Sequence, residues 1–276
     1  MEGSVLEFIQ KRRYDMEDLL HIMEILRGPD GCPWDREQTH ESIRGNFIEE
    51  TYEAVEAIDR HDTALLREEL GDVLLQVVFH SRMEEEAGSF NFGDVVNDIC
   101  QKLVIRHPHI FGDIQVQSTD EVLDNWEAIK NAVKGTKTQA ERLWAVPAVY
   151  PALMRSQKVS SRAAKAGMDY PDTDGAWKDL ESELDELKQA IAEGDRKHTE
   201  EELGDLLFAA VNVARHEGID SEYALTCSCE KFIRRFEEAE KIAVSKGIDM
   251  KAADSQTLDE IWKEAKKNAD SKKKGI

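Results

Sequence analysis

Residues 49–72 read EETYEAVEAIDRHDTALLREELGD, and residues 182–205 read SELDELKQAIAEGDRKHTEEELGD. Each stretch opens with carboxylates three positions apart, Glu50 and Glu53 or Glu183 and Glu186, and closes with a second such pair, Glu69 and Asp72 or Glu202 and Asp205. Displacing the chain by 133 positions superimposes the two stretches without a gap, and lays Ala57, Ile58 and Asp62 on Ala190, Ile191 and Asp195. Farther along, with small insertions, Lys102 and Arg106 fall on Lys231 and Arg235, while Trp126 and Lys130 fall on Trp262 and Lys266. A duplicated unit of about 130 residues follows.

The period inside each unit is helical. Only 6 prolines occur in 276 residues, and no sustained run alternates apolar with polar side chains, so the chain is read as all-α. Lys134-Gly135-Thr136, then Pro147 and Pro151, interrupt the pattern, which puts the boundary near residue 140 and predicts domains over 1–140 and 141–276. Short turns are expected at Asp59 to Thr63 and at Gly194 to Thr199, with Asp62 or Thr63 as an N-cap. Turns so short force the flanking helices to run antiparallel.

Composition narrows the function. A hydrophobic content of 41% supplies a core, and no apolar run approaches the roughly 20 residues of a membrane span. Glu2 and Glu7 precede Lys11-Arg12-Arg13 where a secretory leader needs an apolar stretch, so a cytoplasmic protein is expected. The formal charge of -21 repels a nucleic-acid backbone, and no polymer binding is expected. A nucleotide is still compatible, because a dication bridges an acidic pocket to a polyphosphate. Cys32, Cys100, Cys227 and Cys229 form no C-x-x-C pair and read as reduced thiols, with Cys32, Pro33 and Trp34 in a buried turn.

On helices, Glu49, Glu50 and Glu53 share one face, and Glu69 and Asp72 share one on the next helix. Val73, Leu74, Val77 and Val78 are expected to carry that second helix into the interior, as are Leu206, Leu207, Ala210 and Val211 in the repeat. Like charges at this spacing repel, and a divalent cation removes the penalty. Carboxylate oxygens without histidine suit magnesium, with manganese as a substitute. Two other readings stay open on these grounds: a non-enzymatic acidic protein that binds partners through its helix faces, and a carboxylate-bridged redox metalloenzyme. The latter wants Glu-x-x-His, and the third position after Glu69 and Glu202 is aspartate.

With those residues in view the chain resembles the MazG family of nucleoside triphosphate pyrophosphohydrolases, whose mark is E-E-x-x-E followed at a distance by E-x-x-D. Gly31-Cys32-Pro33-Trp34-Asp35 with Gln38-Thr39, Arg106-His107-Pro108-His109 and Lys231-Phe232-x-Arg234-Arg235-Phe236 extend the likeness over nearly the whole chain. The resemblance implies a tandem-domain homodimer completed through four-helix bundles, which hydrolyses nucleoside triphosphates to monophosphate and pyrophosphate. It implies metal ligands Glu50, Glu53, Glu69 and Asp72 supported by Glu49, and in the second half Glu183, Glu186, Glu202 and Asp205. Ser182 stands in the place of Glu49, one carboxylate short. Similar proteins often carry two arginines before His-Pro-His, whereas Ile105 precedes Arg106; the second half keeps Arg234 and Arg235 and is favoured as the active one.

The expected chemistry is in-line attack of a metal-activated water on the α-phosphorus, with Glu186 or Glu53 accepting the proton. Lys231, Arg234 and Arg235 would neutralise the leaving pyrophosphate. Lys102, Arg106 and Lys130, with Lys231, Arg235 and Trp262, are the expected substrate contacts. Trp126 and Trp262 would stack on a base or serve the core, and His107 and His109 are expected to order a loop rather than catalyse.

Overall fold

A computed structural model describes residues 11–114, 116, 118–119, 121–122, 126, 129 and 138–272, with the side chains of the last three residues of that stretch excepted. It is divided into two compact units, Met1–Lys134 and Gly135–Ile276. Among the described residues every regular element is helical, and no helix is long and apolar enough to cross a membrane. Lys130, expected to touch substrate, lies outside the described residues.

The first unit contains α1 (Met16–Arg27), α2 (Pro33–Glu37), α3 (Arg44–Asp59), α4 (Thr63–Glu86), α5 (Phe92–Arg106) and α6 (Pro108–Phe111). Capping boxes start two of them: Asp15 with Asp18 opens α1, and Asn91 with Asp94 opens α5. Met23, Ile43, Val78, Phe79 and Met83 form the buried cluster, with Leu19, Leu75 and Phe92 packed around it. His107 ends α5, its Nδ1 2.7 Å from the Leu103 carbonyl, so its role is at the helix end.

The second unit contains α7 (Gln139–Trp144), α8 (Ala152–Lys165), α9 (Thr173–Glu193), α10 (Arg196–His216), α11 (Ser221–Ser245) and α12 (Ser255–Lys272). Its buried cluster sits between α11 and α12, formed by Ala239, Ile242, Ala243, Ile261 and Ala265, with Trp262 half-buried against it.

In each unit one helical hairpin carries the acidic motif: α3 with α4, and α9 with α10. The repeated alanines Ala57 and Ala190 are 1% and 0% exposed, which lets the paired helices approach closely. Asp62 caps α4 through Ala64 and Leu65 N–H at 3.0 Å. Asp195 caps α10 in the same way, three residues earlier than a turn running to Thr199 allows. Several apolar side chains expected in the interior are bare: Leu74, Leu207 and Ala210 are exposed, whereas Val78 and Val211 are buried. The helical period places them on the flank of α4 and α10 that no neighbour in the same unit covers. Trp34 likewise is 58% exposed, so the Cys32-Pro33-Trp34 turn is not a buried one.

The hairpin turns hold matched residues in a left-handed backbone: His61 at φ 54° and Gly194 at φ 74° occupy equivalent positions. A side chain makes that conformation unfavourable, and glycine adopts it freely. Replacing His61→Gly is expected to stabilise the chain by about 0.5–1 kcal/mol, and Gly194→Ala to destabilise it by a similar amount. Chemical denaturation followed by circular dichroism checks both signs; a less stable H61G variant contradicts the argument.

Candidate metal-binding acidic sites

Two turns of helix bring the acids together. Glu49, Glu50 and Glu53 project from α3 and Glu69 and Asp72 from α4, close to the connecting turn. Carboxylate oxygens of Glu50, Glu69 and Asp72 all lie within 4.8 Å of one another, with Glu69 buried and the other two half-buried. Glu53 and Glu49 are exposed and stand outside that knot, yet their charges reach it. Burial, then Asp72, Glu53 and Glu49, raises the Glu50 carboxyl above its ordinary value. Burial, then Glu53, Asp72, Glu68 and Glu50, raises Glu69.

The second unit repeats the knot with one exchange. Glu183, Glu186 and Glu202 offer oxygens within 4.8 Å, Glu202 being the buried one, while Asp205 is exposed and lies outside. Burial raises Glu183, and Glu186, Asp205, Asp179 and Glu202 raise it further. Ser182, where the first unit has Glu49, donates from Oγ to Glu186 Oε1 at 3.0 Å and so orients that carboxylate.

Sequence reasoning missed three side-chain groupings in this part of the second unit. His198 lies between Glu193 and Glu202, its Nε2 3.0 Å from Glu202 Oε1 and its Nδ1 3.4 Å from Glu193 Oε2. The spacing of four to Glu202 on one helix was a visible signal. Tyr170 donates its hydroxyl proton to Asp179 Oδ2 at 2.6 Å, and burial followed by that bond pushes its pKa up to about 12. Asp179, four residues before Glu183, was detectable by the same spacing. The third, Asp169, is held down at about 2 by the hydrogen-bonded Arg215, and also meets His216 at 3.1 Å; no sequence spacing announces that contact.

The basic residues gather elsewhere. Lys231, Arg234 and Arg235 line a cleft of about 760 Å³ beside Tyr223, Cys227 and Glu238. Arg234 pairs with Glu230 at 3.2 Å. Among the described residues α11 packs on α12, α8 and α10, and not on α9. Phe232 and Trp262 are 5.2 Å apart between ring centroids, and Lys266 lies 6.0 Å over the Trp262 ring. In the first unit α5 packs on α4 and not on α3; Lys102 is exposed, and the Arg106 guanidinium covers Trp126 at 5.0 Å.

Each knot is therefore an oxygen-only donor set with uncompensated negative charge, one member of which is buried. That set fits a hard divalent cation and fits zinc or copper poorly. A cation there offsets the mutual repulsion, and an anionic tail bearing several oxygens completes its shell.

Two segments, residues 38–111 and 175–239, match the family model described as the MazG nucleotide pyrophosphohydrolase domain. They contain both knots. The chain is 44% identical over 257 residues to the nucleoside triphosphate pyrophosphohydrolase of Escherichia coli (strain K12), covering 91% of this chain and 97% of the relative. It is 42% identical over 250 residues to the nucleoside triphosphate pyrophosphohydrolase/pyrophosphatase MazG of Thermotoga maritima, covering 91% and 95%. The nucleoside triphosphate pyrophosphohydrolase of Mycolicibacterium smegmatis is 41% identical over 153 residues, 55% of this chain and 46% of that protein.

The raised carboxyls give a stability prediction. Folded Glu50, Glu69 and Glu183 hold protons at a pH where the unfolded chain, at the ordinary 4.5, has lost them. Stability contributed by these groups is present at and below that pH, falls as pH rises through the raised values, and then stays low. Through these groups metal-free protein is expected to melt at a lower temperature at pH 7 than near pH 4.5. Millimolar magnesium at pH 7 should restore the midpoint. Glu69→Gln combined with Glu202→Gln should raise the metal-free midpoint at pH 7 and abolish the magnesium effect. Scanning calorimetry decides; a magnesium response retained in the double variant refutes the knots as cation sites.

Proposed function

Because the chain belongs to the MazG nucleotide pyrophosphohydrolase family, we propose that it hydrolyses nucleoside triphosphates to monophosphate and pyrophosphate with magnesium held by its two acidic knots. The observation that carries this reading is the duplicated knot, in which a buried glutamate, Glu69 or Glu202, shares a space of 4.8 Å with two further carboxylates. No purely structural purpose is served by concentrating such charge in two registers of one chain.

In this reading Glu50, Glu69 and Asp72 hold the cation in the first unit, with Glu53 and Glu49 supporting. Glu183, Glu186 and Glu202 hold it in the second, with Asp205 supporting. Magnesium, when bound, neutralises triphosphate oxygens and makes water more acidic. Glu53 and Glu186, the exposed members, accept the proton of the water attacking the α-phosphorus. Ser182 keeps Glu186 turned toward that task through its hydrogen bond. Lys231, Arg234 and Arg235 meet the pyrophosphate in the second unit, and Lys102 and Arg106 do so in the first. The second unit, with its adjacent arginines, leads turnover.

Within one unit the cation-bearing helices α5 and α11 pack on α4 and α10 but not on α3 and α9, which carry the other half of each acidic set, and this supports a homodimer. Ile58, Leu70 and Leu74 are exposed on the first hairpin, and Ile191, Leu203 and Leu207 are exposed at the matching places of the second. Apolar side chains left in water at the same positions of both repeats mark a surface that a second copy covers. A partner packed there also brings a basic helix toward the acids.

Two measurements test the reading. Glu202→Ala or Asp205→Ala is expected to lower pyrophosphate release about a hundred-fold or more, whereas Glu69→Ala or Asp72→Ala removes only the share of the first unit. Chromatography of a nucleotide panel should show monophosphate and no diphosphate as first product. Wild-type turnover in all four variants, or diphosphate as product, overturns the assignment. By sedimentation the protein is expected at twice its chain mass of 31.4 kDa, and Leu74→Lys with Leu207→Lys should shift it toward the single chain. A parent that sediments as a monomer removes the dimer from the reading.

A further inference from the structure

Next to the first acidic knot lies a cleft of about 110 Å³ walled by Trp34, Asn46, Leu75, Gln76 and Phe79. Its floor contains an anomaly. Gln76 is 7% exposed, and its Oε1 is buried with no hydrogen-bond partner. An amide oxygen kept dry and unpaired is unfavourable in a core, and an apolar side chain of the same length would remove the cost. Its place at the end of an open cleft calls for a donor from outside the chain.

The opposite wall is Trp34, a large aromatic surface left in water but held firmly. Pro33 starts α2, and Gln38 Nε2 donates to the Trp34 carbonyl at 2.8 Å. Arg27 donates to the carbonyls of Asp35 and Gln38, pairs with Glu86 at 2.8 Å, and lies 5.2 Å from the Phe79 ring centroid. An indole fixed in this way is a stacking plate that loses little freedom on binding.

Position supplies the rest. Gln76 follows Asp72 by four residues, and Asn46 precedes Glu50 by four, on antiparallel helices. The cleft therefore stands about 6 Å along the hairpin from the knot, four residues at about 1.5 Å rise. A ligand with its phosphates on the carboxylates has a flat ring within reach of Trp34 and Gln76 across one sugar.

We propose that this cleft is the nucleobase subsite of the first unit, where a planar base stacks on Trp34 and donates an edge N–H to Gln76 Oε1. The inference rests on the triphosphate reading of the adjacent knot and adds where the base goes. It also separates the two units. At the equivalent places of the second unit Asn46 becomes Asp179, Gln76 becomes Ala209 and Phe79 becomes Asn212. There the Tyr170 hydroxyl is already bonded to Asp179 and its ring stands 6.1 Å from His216, the counterpart of Met83. No orphaned acceptor waits at that position. The first unit reads the base, and the second accepts triphosphates with little regard to it.

The test uses the full chain with the second knot silenced by Glu202→Gln and Asp205→Asn. Two probes are titrated calorimetrically with magnesium: inorganic tripolyphosphate, and the non-hydrolysable α,β-methylene analogue of ATP. Gln76→Met should weaken the nucleotide analogue about ten-fold while leaving tripolyphosphate unchanged. The same variant without ligand should melt no lower than its parent, since the unpaired oxygen is gone. Trp34→Ala should weaken the analogue alone as well. Unchanged analogue binding in both variants, or equal losses for the two probes, overturns the subsite while the triphosphate reading stands. A parent that binds neither probe overturns the triphosphate reading and the subsite with it.

Discussion

Repulsion between carboxylates that the backbone will not let separate is the constraint on which this molecule turns. Glu50, Glu69 and Asp72, and again Glu183, Glu186 and Glu202, have oxygens within 4.8 Å of one another. In an isolated helix such side chains would swing into water. Here a short turn, three residues capped by Asp62 in the first unit and two capped by Asp195 in the second, holds the paired helices together. Ala57 and Ala190 then let the helix axes close in. With Glu69 drawn into the packed surface its ionised form is disfavoured, as are those of Glu50 and Glu183. The hairpin thus carries a permanent preference for positive charge at one point. In the proposed function, packing strength would be converted into affinity for a cation, and through the cation into affinity for a polyanion.

Much of this was legible in the sequence because it is periodic. Spacings of three and four place acids on a helix face whatever surrounds it, and the offset of 133 made one unit check the other. The first turn and its Asp62 cap follow from local chemistry, whereas the second helix begins at Arg196, earlier than the expected turn to Thr199 allowed. What could not be read was how each side chain divides between water and core. Asp72 belongs to the first knot while its counterpart Asp205 stands outside the second, and Glu53 and Glu186 differ in the opposite sense. That exchange depends on small shifts in helix rotation, which no spacing encodes. Trp34 was misread for a related reason: beside Cys32 and Pro33 it had the composition of a buried turn, yet Arg27 pins the segment from below and leaves the indole outside. Asp169 meets Arg215, and Tyr170 meets Asp179, only through tertiary packing.

The two units have kept one electrostatic device and changed what surrounds it. Position 61 of the first turn is a histidine where its twin is Gly194. Leu65 of the first unit corresponds to His198 of the second, so that only Glu202 is bonded to an imidazole, and a cation in the second knot competes with that histidine for an oxygen. Ser182 replaces a fourth carboxylate by a hydrogen-bond donor, which lowers local charge and gains orientation. Such changes leave the shared geometry intact because each acts at the rim, where a side chain touches the knot without forming the helix contact beneath it.

A last consequence concerns completeness. A carboxylate knot alone attracts a cation but gives a polyphosphate nothing to hold its outer oxygens, and the cations that would do so sit on α5 and α11. Within one unit those helices do not reach α3 or α9. The same helices expose apolar residues in quantity: Val96, Ile99, Leu103 and Val104 on α5, and Leu225, Phe232, Ile233 and Phe236 on α11. Among the described residues two deficiencies thus occur together, acids on α3 and α9 out of contact with the basic helices and apolar side chains on α5 and α11 left exposed. In the homodimer proposed above, one event would remove both, the packing of a second copy that brings its basic helix to the acidic hairpin. Association and catalysis would then depend on the same surface, and a chain that stayed single would hold its substrate with an incomplete grip.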